Sequence, residues 1–388
     1  MFFEPFWFFG GHLEADENAS IMGIMSPASV NSEGITPGIR ERRDVFARGL
    51  LDPVSSRRHL IVFVHGMLGS RWDFQLYRNK ILLARHNLGL PATDLCFLTS
   101  TSNEDDTFDD IGTLADNLVA EILEFVDSQV VDIDRMSFVC HSLGGLIARA
   151  AIEKPGMRVF HDIFHTFTTF ATPHLSIAMT DNRILSLLGK AYLLFEKSPC
   201  IEQVLLRDAS DKHECFLYRQ AHSTQALERF KKICLFASAQ DGYAGLGSAL
   251  VADIAHGRVG SSSSSRKSER RAAACSVGGA CEILRFGGGS GVPALAAPGS
   301  SPLSLVSPDN SSTGNDAPPP APLTVSEAYD EMLSALEAGM ARVKVERYEV
   351  WWPGLAGKMD ALGRAAHIAM LQDEALSELA TAIGRYYM

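Results

Sequence analysis

The chain has 388 residues, 46% of them hydrophobic, and a formal net charge of −11, enough for one core of about 250–300 residues with irregular additions. The acidic balance announces no phosphate-binding face, so nucleic acid is not an expected partner, and no apolar run reaches the ~20 residues of a membrane span. Seven cysteines (96, 140, 200, 215, 234, 275 and 281) are an odd number without paired spacing, which argues against a disulfide framework and points to a reducing compartment, the cytoplasm.

The chain begins MFFEPFWFFGG, five phenylalanines and a tryptophan interrupted by Glu4 and Pro5. It has no basic leader or small-residue cleavage site and is not read as a signal peptide. An irregular end is the plain reading, with membrane-surface contact through the aromatic rings as the alternative. Residues 1–57 carry no sustained periodicity and read as an irregular lead-in.

Order is expected to begin at His59–His65, where LIVFV is the short β-branched run of a strand buried on both faces. Gly66 and Gly69 break it, a helix is predicted over Trp72–Ala84, and Thr93–Thr99 reads as a second strand. Phe108, Ile111, Leu114, Leu118, Ile122 and Phe125 recur at helical spacing over 108–126. Further strands are predicted at Met136–Cys140, Phe164–Ala171, Ile233–Ala239 and Val343–Trp351, separated by lengths that need crossovers. That alternation specifies an α/β fold, a mostly parallel sheet with helices on both faces. One stretch breaks the rhythm: residues 258–322 are rich in Ser, Gly, Ala and Pro and are expected to be a disordered insertion. The domain is therefore divided into 58–257 and 323–388. The insertion's short basic run RKSERR reads as a solvated segment, with a targeting or phosphate-contact patch as the alternative.

The decisive stretch is FVCHSLGGLIARA, Phe138–Ala150, which puts one serine at the junction of an apolar strand and an alanine-rich helix. A G-x-S-x-G pentapeptide in that context is the nucleophile elbow of α/β-hydrolases. The tight turn lifts the hydroxyl clear of the sheet, and the positions two before and two after must be small. Here they are Cys140, in place of the usual glycine, and Gly144. A serine needs a base, an acid that orients the base, and donors for the oxyanion, and in this fold the chain order is Ser, acid, His. Asp241 follows the strand at 233–239 and is the candidate acid, with a turn role for Asp-Gly as its competitor. Only His256 and His367 come later; His256 borders the insertion, and His367, just before the last predicted helix, is the preferred base. The amides of Leu143 and of Met67, after Gly66 at the end of the first strand, are the candidate oxyanion donors. His65 and His174 read as loop-shaping residues. The H-x3-H at His161 and His165 straddles a strand start, so no metal is expected, and no cofactor is required.

These residues carry a resemblance. HLIVFVHGMLGSRWDF, GLPATDLCFLTSTSNEDDTFDDI, MSFVCHSLGGLIARA, HTFTTFATPHLS, FLYRQA, ASAQDGYAGLGSA and LGRAAHIAMLQDE resemble the lipase-like serine esterase family of α/β-hydrolases. More narrowly, they are similar to the C-terminal hydrolase domain of the large eukaryotic lipase-like proteins of that group. The resemblance spans about 59–257 and 323–388, with Cys140, Ser176 and the long insertion as departures. It implies an α/β-hydrolase with Ser142, Asp241 and His367 as a triad; it does not fix a substrate, and an ester or lipid is the expected one. Thioester hydrolysis, acyl transfer, and an interaction module with little turnover are the competing readings. The apolar stretch Arg183–Phe195 is read either as a cap over the serine or as a packing helix.

Overall fold

A computed structural model describes residues 57–91, 94–129, 132–179, 198–254, 275–277, 281–286, 322–355 and 364–374, with 376, 377 and 381. The stretch Arg183–Phe195, His256 and the aromatic start lie outside these. Eight strands are β1 (Arg57–Val64), β2 (Leu95–Thr99), β3 (Asp132–His141), β4 (Phe164–Phe170), β5 (Lys232–Ala237), β6 (Cys275–Val277), β7 (Cys281–Phe286) and β8 (Lys344–Trp351). Among the described residues eight α-helices accompany them: α1 (Gln75–Asn87), α2 (Ile111–Ser128), α3 (Leu143–Glu153), α4 (Pro199–Val204), α5 (Phe216–His222), α6 (Leu246–Leu250), α7 (Val325–Gly339) and α8 (Arg364–Gln372).

One sheet takes all eight strands in the order β2-β1-β3-β4-β5-β8-β7-β6. The first six run parallel; β7 and β6 add antiparallel at one edge. The α/β-hydrolase architecture expected from the sequence is thus present, a parallel sheet flanked by helices. β1 is fully buried from Leu60 to Phe63, as its β-branched and aromatic run requires. β4, FHTFTTF, is buried along its whole length. Its rings form a layer with their neighbours: Phe170 stacks on Phe236 of β5 at 4.7 Å, and Phe236 on Tyr348 of β8 at 4.8 Å.

The chain leaves β1 toward β2 on one side and returns to build β3 on the other. That reversal opens a crevice at the carboxyl ends of β1 and β3, where ligands bind in open α/β sheets. Val64 pairs with Cys140, so both strands finish at the same level. The segments that follow them, Gly66–Leu68 and Ser142–Gly145, meet in that crevice.

Several elements differ from the sequence expectation, and three of these differences have a plain physical reason. α2 begins at Ile111 rather than Phe108 because Asp110 caps it, its carboxylate accepting from Thr113 N at 3.0 Å. β3 starts four residues early, at Asp132. Its charged first residues are partly or fully exposed and lie beside Arg57 and Arg58 of β1, so a solvated sheet end carries strand geometry without an apolar signature. The third difference is β6 and β7, which arise inside the segment 258–322 expected to be disordered. Six residues, CEILRF, pair with β8 in a stretch whose average composition conceals them. Among the described residues no helix is long and apolar enough to cross a membrane.

Candidate active site

Ser142 sits between the last residue of β3 and the first of α3 with φ 53° and ψ −127°. A non-glycine residue in that region stores on the order of 1–3 kcal/mol. The turn is held by its own amide, which donates to Phe170 O at 2.9 Å, and by Gly145 N, which donates to Ser142 O at 3.1 Å. Everything in α3 from Leu143 to Ile152 is buried; that explains the run of Gly and Ala, since the helix is driven between its neighbours. A Cβ on Gly144 would stand 2.2 Å from Val64 O and 2.4 Å from His65 O, and one on Gly145 2.2 Å from Thr172 Oγ1. Cys140 is wholly buried, and burial pushes its thiol well above the usual range. It fills the position expected of a glycine as a small apolar group.

Asp241 lies in the loop after β5 with its side chain fully buried. Its two oxygens have separate tasks. Oδ1 accepts from the amides of Tyr243 (2.7 Å) and Ala244 (3.2 Å), and Oδ2 is 2.7 Å from Nδ1 of His367. The loop is fastened to the end of β8 by Gln240, whose Nε2 donates to Trp352 O at 3.0 Å while its Oε1 accepts from Trp352 N at 2.7 Å. Trp352 in turn donates through Nε1 to Asp373 Oδ2 at 3.0 Å, just beyond α8. One residue thereby ties the acid loop to the helix that carries His367.

His367 is the fourth residue of α8 rather than a loop residue before the last helix, and its side chain is 10% exposed. With Nδ1–H donated to Asp241, Nε2 carries the free lone pair. The ring lies against Tyr243 (centroids 5.2 Å apart) and His141 (4.7 Å). His141 is chain neighbour to Ser142. Among the described residues the Ser142 hydroxyl itself makes no hydrogen bond. In hydrolases without substrate this contact is often long and tightens in the Michaelis complex.

The loop after β1 passes directly over the serine: a Cβ on Gly66 would stand 2.8 Å from Ser142 Cβ. Gly69 N donates to Gly66 O (3.0 Å), His65 Nδ1–H to the same oxygen (3.0 Å), and Leu68 N to Thr107 Oγ1 (2.9 Å), with Leu68 at φ 56°. Among the described residues the amides of Met67 and Leu143 donate to nothing. His174 is buried; Arg149 Nη1 donates to its Nδ1 (3.3 Å) and carbonyl (3.0 Å), and its Nε2–H donates to Thr169 Oγ1 (3.1 Å). Burial and the Arg149 charge hold it well below the usual histidine range.

Residues 54–255 match the family described as "Putative serine esterase (DUF676)". The chain belongs to that family. Part of the chain of this serine esterase family member is also similar to several solved structures. Phospholipase PlaB from Legionella pneumophila is 15% identical over 46% of this chain and 37% of its own, with a TM-score of 0.32. An extracellular alpha/beta-hydrolase from a Paenibacillus species is 12% identical over 48% of this chain and 81% of its own (TM-score 0.30). Est1E from Butyrivibrio proteoclasticus is 10% identical over 49% and 71% (TM-score 0.31). The chain thus spans well under half of PlaB. The family match covers Ser142 and Asp241 and ends before His367. The ties made by Gln240, Trp352 and His141 are not announced by any motif; the only hint is that His141 stands next to the elbow serine.

Proposed function

We propose that this serine esterase family member hydrolyses carboxylic esters of lipid or acyl type through an acyl-enzyme on Ser142. The observation that carries the reading is the 2.7 Å contact between Asp241 Oδ2 and His367 Nδ1, made across 126 residues of chain beside a serine held at positive φ. The carboxylate holds one ring nitrogen, and among the described residues the other makes no hydrogen bond.

In this scheme His367 Nε2 accepts the Ser142 proton as Oγ bonds to the ester carbonyl carbon. The carbonyl oxygen becomes an oxyanion between the amides of Met67 and Leu143. Asp241 holds the ring in the Nδ1–H tautomer and stabilises the imidazolium. His367 then returns the proton to the departing alcohol as the C–O bond breaks, and a water deprotonated by the same nitrogen releases the acid. The working unit is two stretches of chain: 58–257 supplies the nucleophile and the acid, and 323–388 supplies the base. Thioesters and acyl transfer would use the same machinery.

A fluorophosphonate probe reacts with an activated serine and with little else on the protein. It is expected to label the wild-type chain at Ser142 and to leave Ser142→Ala unlabelled, with labelling read by mass spectrometry of the peptide. Equal labelling of both would end the assignment. Folded wild-type protein that neither labels nor hydrolyses p-nitrophenyl esters of any chain length would favour an interaction module.

A further inference from the structure

His141 stands one residue before the nucleophile and is buried at 4% exposure. Its ring touches α8 and lies beside the loop after β1. On one side Nε2–H donates to the backbone carbonyl of His367 at 3.1 Å, and the two rings lie 4.7 Å apart at 53°. On the other, a Cβ on Gly66 would stand 3.4 Å from His141 Nδ1 and 3.1 Å from its carbonyl oxygen, so the ring abuts the loop that carries Met67. His141 and His367 are 226 residues apart in the chain. This contact ties the end of β3 directly to α8, whose stretch of chain arrives last.

From this geometry we infer that His141 is a positioning residue: its Nε2–H bond to the His367 carbonyl sets where the base stands relative to Ser142, while its ring spaces the base from the Met67 loop. The inference rests on the serine hydrolase reading above. A histidine fits the position for two reasons. A phenylalanine has the ring but no donor, and the carbonyl of His367 would lose its side-chain donor. A lysine or arginine would bring a permanent charge next to the imidazole that must become imidazolium during turnover. Burial, with the adjoining His367 ring, holds His141 well below the usual histidine range, so it is a neutral donor. Misplacing a catalytic group by about 1 Å can cost about 10²-fold in rate, and a base held through one backbone carbonyl is exposed to that penalty.

The test compares His141→Gln, whose Nε2–H lies the same number of bonds from Cβ, with His141→Phe, which keeps a ring and loses the donor. His141→Met replaces Phe should the larger ring prevent folding. Two readouts are taken on the full chain with matched melting temperatures. One is the downfield NMR resonance of the His367 Nδ1–H shared with Asp241, which requires no turnover. The other is the second-order rate of fluorophosphonate labelling at Ser142, followed by kcat and KM on a p-nitrophenyl ester. The expected result is that Gln keeps the resonance and stays within about threefold of wild type. Phe or Met broadens or loses the resonance and lowers labelling and kcat by about 10- to 100-fold, with KM little changed. The proposal is overturned if Phe and Met match wild type in both readouts, or if Gln falls as far as Phe. Should the resonance follow the expected pattern while the wild-type chain fails to label, His141 still positions His367 and it is the hydrolase reading that fails.

Discussion

Asp241→Asn is expected to lower kcat for a short p-nitrophenyl ester by about 10⁴-fold while leaving KM nearly unchanged. The size follows from how the carboxylate is held. The amides of Tyr243 and Ala244 both point at Oδ1, so an asparagine must place its oxygen there and turn its NH₂ toward His367. The ring nitrogen facing that NH₂ becomes an acceptor, the proton moves to Nε2, and the imidazole can no longer take a proton from Ser142. The fold is undisturbed, because every hydrogen bond of the loop survives. Ser142→Ala removes the proposed nucleophile and is expected to cost about 10⁶-fold, and combining it with Asp241→Asn should cost no more if the residues act as a unit. Steady-state kinetics of the two single variants and the double variant check this. An Asp241→Asn enzyme within tenfold of wild type would mean that the carboxylate is only a turn residue.

The second large effect concerns stability. Lys232 of β5 and Glu346 of β8 form an ion pair at 2.6 Å with side chains only 2% and 6% exposed, and Tyr348 donates its hydroxyl to Glu346 Oε2 at 2.6 Å. Lys344 approaches the other oxygen at 3.3 Å. Glu346→Leu takes this carboxylate from the buried Lys232 ammonium, and loss of one partner of a buried pair costs about 3–5 kcal/mol. For a domain of this size the melting temperature should fall on the order of 10 °C. Adding Lys232→Met removes the buried ammonium as well, so the double variant should recover part of the loss. Burial alone would raise the Glu346 carboxyl, but the hydrogen bonds from Lys232 and Tyr348 and the Lys232 charge outweigh it and hold the group down at about 2. The pair's contribution is therefore complete above the unfolded carboxylate pKa of about 4.3 and is lost as pH falls through about 2. Wild type should lose melting temperature over that interval more steeply than the double variant does. Differential scanning calorimetry from pH 7 to 2 reads both effects; single and double variants with equal melting temperatures would show that the pair is energetically silent.

What the sequence made legible was whatever is local. LIVFV, FHTFTTF and KICLFA announce buried strands through continuous apolar or β-branched runs, and CHSLGG announces the elbow because strand, small residues and helix follow one another directly. Chain order then sufficed to bring forward Asp241 and His367, and the structure brings those two side chains into contact. The charged first half of β3 was hidden, since a strand end in solvent has no apolar pattern. β7 was hidden by the Ser, Gly and Pro around it. The Gln240–Trp352–Asp373 tie and the seat of His141 on His367 were out of reach for a different reason. Each joins residues more than 20 positions apart through side-chain hydrogen bonds that only the assembled sheet can align, and an isolated Gln, Trp or His carries no periodic signal. Gly145 belongs with them: its need for a missing Cβ comes from Thr172, in the loop after the next strand.

The most direct measurement is a crystal structure of the chain after reaction with a fluorophosphonate. The account predicts phosphorus on Ser142 Oγ and a phosphonyl oxygen about 2.7–3.1 Å from the amides of both Met67 and Leu143. It also predicts His367 Nε2 within about 2.6–3.2 Å of Oγ, with Asp241 still on Nδ1. An adduct whose oxygen points away from those amides, or one in which a ring other than His367 stands beside Oγ, would contradict it.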